Sequence, residues 1–309
     1  MQLSKEKPSV NVCMITYMHE NYIKNSIEGV LSQKTNFPVE LIIADDHSPD
    51  KTEEIVRNIL NNSDSSVNVH YVRHKHNKGL FENFKWVIKK SKGKYIAFCE
   101  GDDNWSDPLK LQKQVEFLEA NPNYSLCSHE AYYTHIHDPN SLRKLIAIFY
   151  HNFRLDGLKS IIKLLKLLLL DHSEFWNRRR KPSNIKRYSD ADLKITLDTA
   201  MSSRYIPMLS IVARGEILRK IPNKLFDISA GHRLVILWSA LHGKLRHFTD
   251  VMGFKNTQES SVTVTKIIKK TSTKKSRLDD TITMLNLFKK YSSPKKCRLI
   301  DKKINKLVN

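Results

Sequence analysis

The first 120 residues change hydrophobic period at regular intervals, and this alternation restricts the folds open to the chain. Val10–Thr16 (VNVCMIT) reads as a strand. Tyr22, Ile23, Ser26, Ile27, Val30 and Leu31 then share one helical face. Val39–Ala44 reads as a second strand, and Ile55, Val56, Ile59 and Leu60 mark a second helix. Asp50-Lys51-Thr52-Glu53 resembles a capping box at its start. A third strand over Val67–Val72 precedes a helix bearing Leu80, Phe84, Val87 and Ile88, which Gly93 is expected to end. The run from Lys94 to Cys99 is the fourth strand. Asp107-Pro108 then suggests an N-cap and first-turn proline for a helix carrying Leu111, Val115 and Leu118. Strands and helices alternating at this spacing predict right-handed βαβ units and an α/β fold with a mostly parallel sheet flanked by helices.

Ligands of such sheets bind beyond the carboxyl ends of the strands. Three polar clusters are expected there: Thr16, Tyr17, His19 and Glu20 after the first strand, Asp45 and Asp46 after the second, and Glu100, Asp102 and Asp103 after the fourth. The last group puts three carboxylates within four residues of a chain whose formal net charge is +20. No G-x-G-x-x-G follows the first strand and no G-x-x-x-x-G-K-[ST] occurs, so a glycine-rich phosphate cradle is not expected. Carboxylates repel phosphate, but a divalent cation can bridge the two. Hard oxygen ligands in a short turn suit Mg2+ or Mn2+. The pattern predicts a nucleoside-diphosphate site with a metal bridge.

Four segments carry a resemblance: Pro8 to Thr16, Tyr17-Met18-His19-Glu20, Ile42 to Ser48 (IIADDHS), and Gly93 to Lys113 (GKYIAFCEGDDNWSDPLKLQK). In order and spacing they resemble the family 2 glycosyltransferases, whose fold is GT-A (Rossmann-like). The resemblance implies a UDP- or GDP-linked sugar donor, an acceptor hydroxyl on a saccharide or lipid-linked acceptor, and a single inverting displacement. It implies that Asp102 and Glu100 hold the metal, with Asp102 the first choice and counted among the catalytic residues, and that Asp103 belongs to the donor site. Thr16, Tyr17 and Glu20 would contact the nucleotide, Asp45 or Asp46 would bond the base, and Asn77 and Gly79 would lie along the nucleoside. Met18 stands where the family often has Asn, and Glu100 where it usually has Asp. Residues 205–256 also resemble the family, as an acceptor-side strand followed by a helix and a strand. The family's acidic general base at the start of that helix is replaced by His232. Either His232 serves as base, or the base lies elsewhere, with Asp227 a nearby candidate, or catalysis is lost.

The expected organisation is a nucleotide-sugar-binding half at 1–134, a helical insertion at 135–190, an acceptor-binding half at 191–256 and a basic, helical C-terminal extension at 257–309. In the insertion, Lys159, Lys163 and Lys166 share a face, and Arg178, Arg179, Arg180 and Lys181 follow. Residues 266–309 hold fourteen Lys or Arg against three Asp. Such charge suits an anionic membrane surface. A nucleic-acid partner is not expected, since no helix interleaves basic and aromatic residues in a recognisable module. The absence of a long apolar run and of a signal-peptide pattern, with unpaired-looking Cys13, Cys99, Cys127 and Cys297, suggests a cytoplasmic protein, and the basic charge alone suggests a peripheral place at the inner membrane face. The non-enzymatic alternative is a degenerate GT-A domain that binds a ligand or partner.

Overall fold

The computed structural model describes residues 9–134, 206–227, 231–256 and 274–308. The expected insertion at 135–190 lies outside the described residues, as does 257–273. Eight strands form one sheet: β1 (Val10–Thr16), β2 (Val39–Asp45), β3 (Asn68–Arg73), β4 (Tyr95–Phe98), β5 (Asp103–Trp105), β6 (Tyr124–Thr134), β7 (Val212–Arg214) and β8 (Lys244–Asn256). Their order is β3-β2-β1-β4-β7-β6-β8-β5. The β1, β2, β3 and β4 pairings are parallel, as is β6 with β8. β7 runs antiparallel to β4 and β6, and β5 antiparallel to β8. The expected mostly parallel sheet is present, and its second half is mixed.

Helices cover both faces. They are α1 (Ile23–Leu31), α2 (Thr52–Asn61), α3 (Leu80–Lys90), α4 (Lys110–Ala120), the short α5 (Gly215–Arg219) and α6 (Asn223–Phe226), α7 (Gly231–His242), α8 (Lys274–Lys289) and α9 (Pro294–Val308). A central parallel strand is buried on both sides, so it reads as a continuous apolar run. β1 meets this condition, with every residue buried. Its side chains divide by period two. Val10, Val12 and Met14 join one apolar layer with Ile23 and Ile27 of α1 and Leu111 and Val115 of α4. Cys13 and Ile15 join the other with Phe84, Val87 and Ile88 of α3 and Leu234, Leu237 and Trp238 of α7. Trp238 is core, and its Nε1–H donates to the Ile217 carbonyl.

Several element ends differ from expectation. α2 begins at Thr52, and Asp50 bonds the Thr52 N–H from outside the helix. Glu53 does not close a capping box, because it pairs with Arg57 and Arg73. α3 stops at Lys90, with Ser91 rather than Gly93 at its end. Asp107 accepts from the Leu109 N–H in a turn, and α4 starts only at Lys110, so Pro108 precedes the helix. Leu80 is 36% exposed, not part of the buried face of α3. Over its described length the C-terminal extension is helical and packs on the core. Met284, Leu285, Phe288 and Ile300 are buried in the core layer that holds Trp238.

A buried polar side chain closes the amino end of the sheet. The Asn11 Oδ1 accepts from Lys92 N–H at 2.7 Å and from the Gly93 N–H, while its amide donates to Glu40. A leucine of similar size would leave the buried Gly93 N–H and the part-buried Lys92 N–H without this acceptor. We expect Asn11→Leu to lower unfolding free energy by ~1–3 kcal/mol in urea titrations; an unchanged midpoint would show that water satisfies these groups.

Candidate active site

The parallel strands end together, and main-chain bonds tie their ends. Asp46 N–H donates to Thr16 O at 2.9 Å, His74 N–H to Asp45 O at 2.8 Å, and Gly101 N–H to Ile15 O at 3.0 Å. The loop after β1 is then fastened to the loop after β2. The N–H groups of Met18, His19 and Glu20 donate in turn to Ser48 Oγ, Thr52 Oγ1 and Asp50 Oδ2, each at 3.0–3.1 Å. Met18 holds φ +58° and His47 φ +64°, left-handed conformations uncommon for side-chain-bearing residues. Ser26 Oγ on α1 donates to Gly101 O at 2.9 Å, which ties the acidic turn to the same frame.

These bonds bring the three expected clusters to one rim. Thr16, Asp45, Asp46, Asp102 and Asp103 are all buried there, with Asp102 8% exposed and Asp103 fully covered. Tyr17, Glu20 and Glu100 are half-buried. Within the rim the aspartates after β2 already have work. Asp45 accepts from Ser48 N–H at 2.8 Å and Tyr71 Oη at 2.8 Å. Asp46 accepts from Lys78 and Gly79 N–H at 2.7 and 2.9 Å, which pins the H-N-K-G turn. Asn77 closes that turn by accepting from Gly79 N–H, and Gly79 sits at φ +82°. A carboxylate has about four lone-pair sites, so each aspartate keeps acceptor capacity.

Glu100, Asp102 and Asp103 place one carboxylate oxygen each within 4.8 Å of one another. Like charges so close need a counter-charge. Lys255, which faces Asp103 across the β5–β8 ladder, supplies one. Its Nζ lies 3.3 Å from Glu100 Oε2 and 3.2 Å from Asp103 Oδ1. The next residue, Asn256, donates from Nδ2 to the Asp102 main-chain oxygen at 2.5 Å. Burial pushes the Asp103 carboxyl well above the usual carboxylate range. Lys255 opposes that rise, and the charges of Asp102 and Glu100 add to it. Tyr22 also borders the site: burial raises its phenol, and the Asp102 charge raises it further. Sequence reasoning missed Tyr22, Lys255 and Asn256. The cue for Tyr22 was its place at the head of α1, where it was assigned to the helix face.

His232 belongs to the first turn of α7, but its side chain lies outside the described residues. Asp227, the alternative, is exposed just after α6.

The sequence profile of Glycosyl transferase family 2 matches residues 11–183, more than half of the chain. The chain belongs to that family. Among curated relatives, the UDP-Glc:alpha-D-GlcNAc-diphosphoundecaprenol beta-1,3-glucosyltransferase WfaP of Escherichia coli is 32% identical over 111 residues, 36% of this chain and 41% of its own length. The matches span about a third to a half of such relatives, from 34% to 50% of their length. The S. aureus TarS 1–349 structure in complex with UDP-GlcNAc superposes with TM-score 0.58 at 15% identity, covering 97% of this chain and 72% of that one. A mannosyltransferase, PcManGT from Pyrobaculum calidifontis, solved with GDP-Man and Mn2+, gives TM-score 0.58 at 13% identity, covering 97% and 70%. These likenesses show the GT-A fold.

In this family 2 chain the acidic turn approaches the first loop so closely that Gly101 has no room for a side chain. A Cβ there would lie 2.6 Å from Thr16 Oγ1 and 2.7 Å from His19 Nδ1. Gly101→Ala must therefore push the ends of β1 and β4 away from each other, at an expected cost of ~1–3 kcal/mol in chemical denaturation. A double-mutant cycle with Thr16→Ala is expected to show coupling between the sites; additive losses would mean that the approach is not a constraint.

Proposed function

We propose that the protein transfers a sugar from a UDP- or GDP-linked donor to an acceptor hydroxyl by an inverting displacement. The observation that carries this reading is the convergence of the β1, β2 and β4 ends on one acidic rim within a family 2 fold. In the proposal, Thr16, Tyr17 and Glu20 border the nucleotide, and Asp45 or Asp46 accepts from the base with its remaining lone pairs. Asn77 and Gly79 lie along the nucleoside, and Asp103 underlies the donor site. The donor set of Glu100, Asp102 and Asp103 suits a hard divalent cation, Mn2+ or Mg2+, with Asp102 and Glu100 as the expected ligands. When bound, that cation would offset charge on the departing diphosphate. PcManGT, similar in fold, was solved with Mn2+, which supports the same role here.

A base must take the proton of the incoming hydroxyl. His232 is the proposed group, since a neutral imidazole has an ordinary pKa of ~6.5 and can accept a proton near neutral pH. A saccharide or lipid-linked acceptor, and a role in surface polysaccharide assembly at the inner face of a membrane, extend the reading. The E. coli relative's diphosphoundecaprenol substrate supports it. Among the described residues no helix is long and apolar enough to cross a membrane. α9 instead exposes Lys295, Arg298, Lys302 and Lys306 at helical spacing on one face, while its Asp301 pairs with Lys289 at 2.6 Å. Such a stripe suits anionic lipid headgroups.

Nucleotide release from a panel of UDP- and GDP-sugars, with and without Mn2+, tests the enzyme reading. Asp102→Asn is expected to lower metal-dependent turnover by at least ~100-fold while keeping the fold. His232→Ala is expected to lower turnover and spare donor binding; full activity would transfer the base role to Asp227 or elsewhere. Release from no donor under any condition would leave the degenerate, ligand-binding domain.

The membrane claim needs a surface test, because deleting α8 and α9 would uncover the Phe288 and Trp238 core contacts. Replacing Lys295, Arg298, Lys302 and Lys306 together by Glu should abolish sedimentation with anionic vesicles. Unaltered sedimentation would remove α9 from that role.

A further inference from the structure

Leu109 and Lys110 reverse the usual order of burial: Leu109 is 43% exposed, whereas Lys110, the first residue of α4, is fully covered. The Lys110 Nζ lies 3.9 Å from the centre of the Trp105 ring and donates to Gln114 Oε1, one turn on, at 2.8 Å. Gln114 Nε2 donates onward to Ser210 O at 2.9 Å, and Trp105 Nε1 to Leu209 O at 2.8 Å, so both residues are fastened to the segment before β7. Four ionisable groups face the amine: Cys99 after β4, Cys127 and His129 of β6, and Asp107 before α4. Burial pushes both thiols up and the imidazole down, so all three are neutral, and Asp107 pairs with Lys113 at 2.7 Å. A buried ammonium is costly unless it meets negative charge. The face of an indole ring is the strongest aromatic partner for a cation. Trp105 also ends β5, the edge strand whose first residue, Asp103, belongs to the acidic turn. On α1, Gly29 comes so near that a Cβ there would lie 2.9 Å from Trp105 O.

We infer that Lys110 is a positioning residue for the donor site: its charged amine holds the Trp105 ring, and through β5 the acidic turn, from inside the fold and without touching the donor. This rests on the nucleotide-sugar reading above and adds a residue that acts on the site from behind. Burial lowers the Lys110 amine from its ordinary 10.5 to about 7, against the opposing pull of Cys127, Cys99 and Asp107. The cation–π contact exists only while the amine is protonated. The hold on Trp105 therefore weakens, and nucleotide affinity falls, as pH rises through about 7. Stability moves the other way. Between about 7 and 10.5 the unfolded chain keeps a proton on Lys110 that the folded chain has lost, so unfolding free energy rises with pH over that window. Two pH effects of opposite sign thus belong to one side chain, which a residue that merely fills space would not produce.

Calorimetric titration of the full chain with UDP and with GDP in the presence of Mg2+, alongside urea unfolding, each from pH ~6.5 to ~9, tests this without any turnover. The wild type should lose about tenfold in affinity for the nucleotide it binds across this range, while its urea midpoint rises. Lys110→Met should bind that nucleotide with the same weak affinity at every pH, close to the wild-type value at the alkaline end, and its urea midpoint should rise less. Trp105→Phe keeps a ring with a weaker hold on the cation, so its affinity should fall at a lower pH than that of the wild type. A folded Lys110→Met with wild-type affinity and the wild-type pH profile would overturn the assignment. So would a wild type whose affinity does not change with pH, since Lys110 would then act by packing alone. If Lys110→Met does not fold, judged by circular dichroism, Trp105→Phe decides: an unshifted pH profile overturns the assignment. Wild-type protein that binds neither nucleotide at any pH would overturn the nucleotide-sugar reading itself, and this assignment with it.

Discussion

The contact between the acidic turn and the loop after β1 sets the position of everything else at the rim. Parallel pairing of β1 with β4 carries Gly101 to Ile15, where a main-chain bond closes the approach. The missing side chain at Gly101 lets Thr16 and His19 come within contact distance of the turn. Three further bonds fasten the first loop to the second, and Asp46 fastens the H-N-K-G turn. Polar groups from four strand ends thus share one frame, and each owes its place to a neighbour rather than to its own segment alone.

Charge explains why such a frame can hold acids in a strongly basic chain. Buried carboxylates are costly unless paired or hydrogen-bonded. Asp45 and Asp46 meet this through hydroxyl and main-chain N–H donors. Glu100 and Asp103 meet it through Lys255. Asp102 is held through its main-chain oxygen by Asn256.

Much of this was legible in the residues. β1, β2 and β4 stand out as apolar runs because they are buried on both faces, and the polar clusters follow directly from where those runs stop. The caps were less legible. Asp50 and Asp107 both have sequences that suit N-caps, yet Asp50 lies two residues before α2 and bonds its first N–H, and Asp107 bonds a turn just outside α4. Lys255 and Asn256 were illegible for a different reason. Their roles depend on the antiparallel β5–β8 register, which joins residues more than 150 positions apart. No local period encodes that pairing. The mixed second half of the sheet shares this dependence, since β6 lies between β7 and β8 in space.

A crystal structure of the full chain grown with UDP and Mn2+, with anomalous scattering recorded for manganese, would locate cation and nucleotide together. A manganese peak is expected about 2.2 Å from an Asp102 carboxylate oxygen, bridging to the diphosphate, with uracil over the ends of β1 and β2. Nucleotide bound away from those strand ends, or manganese bound remote from Asp102, would contradict the metal-bridged rim.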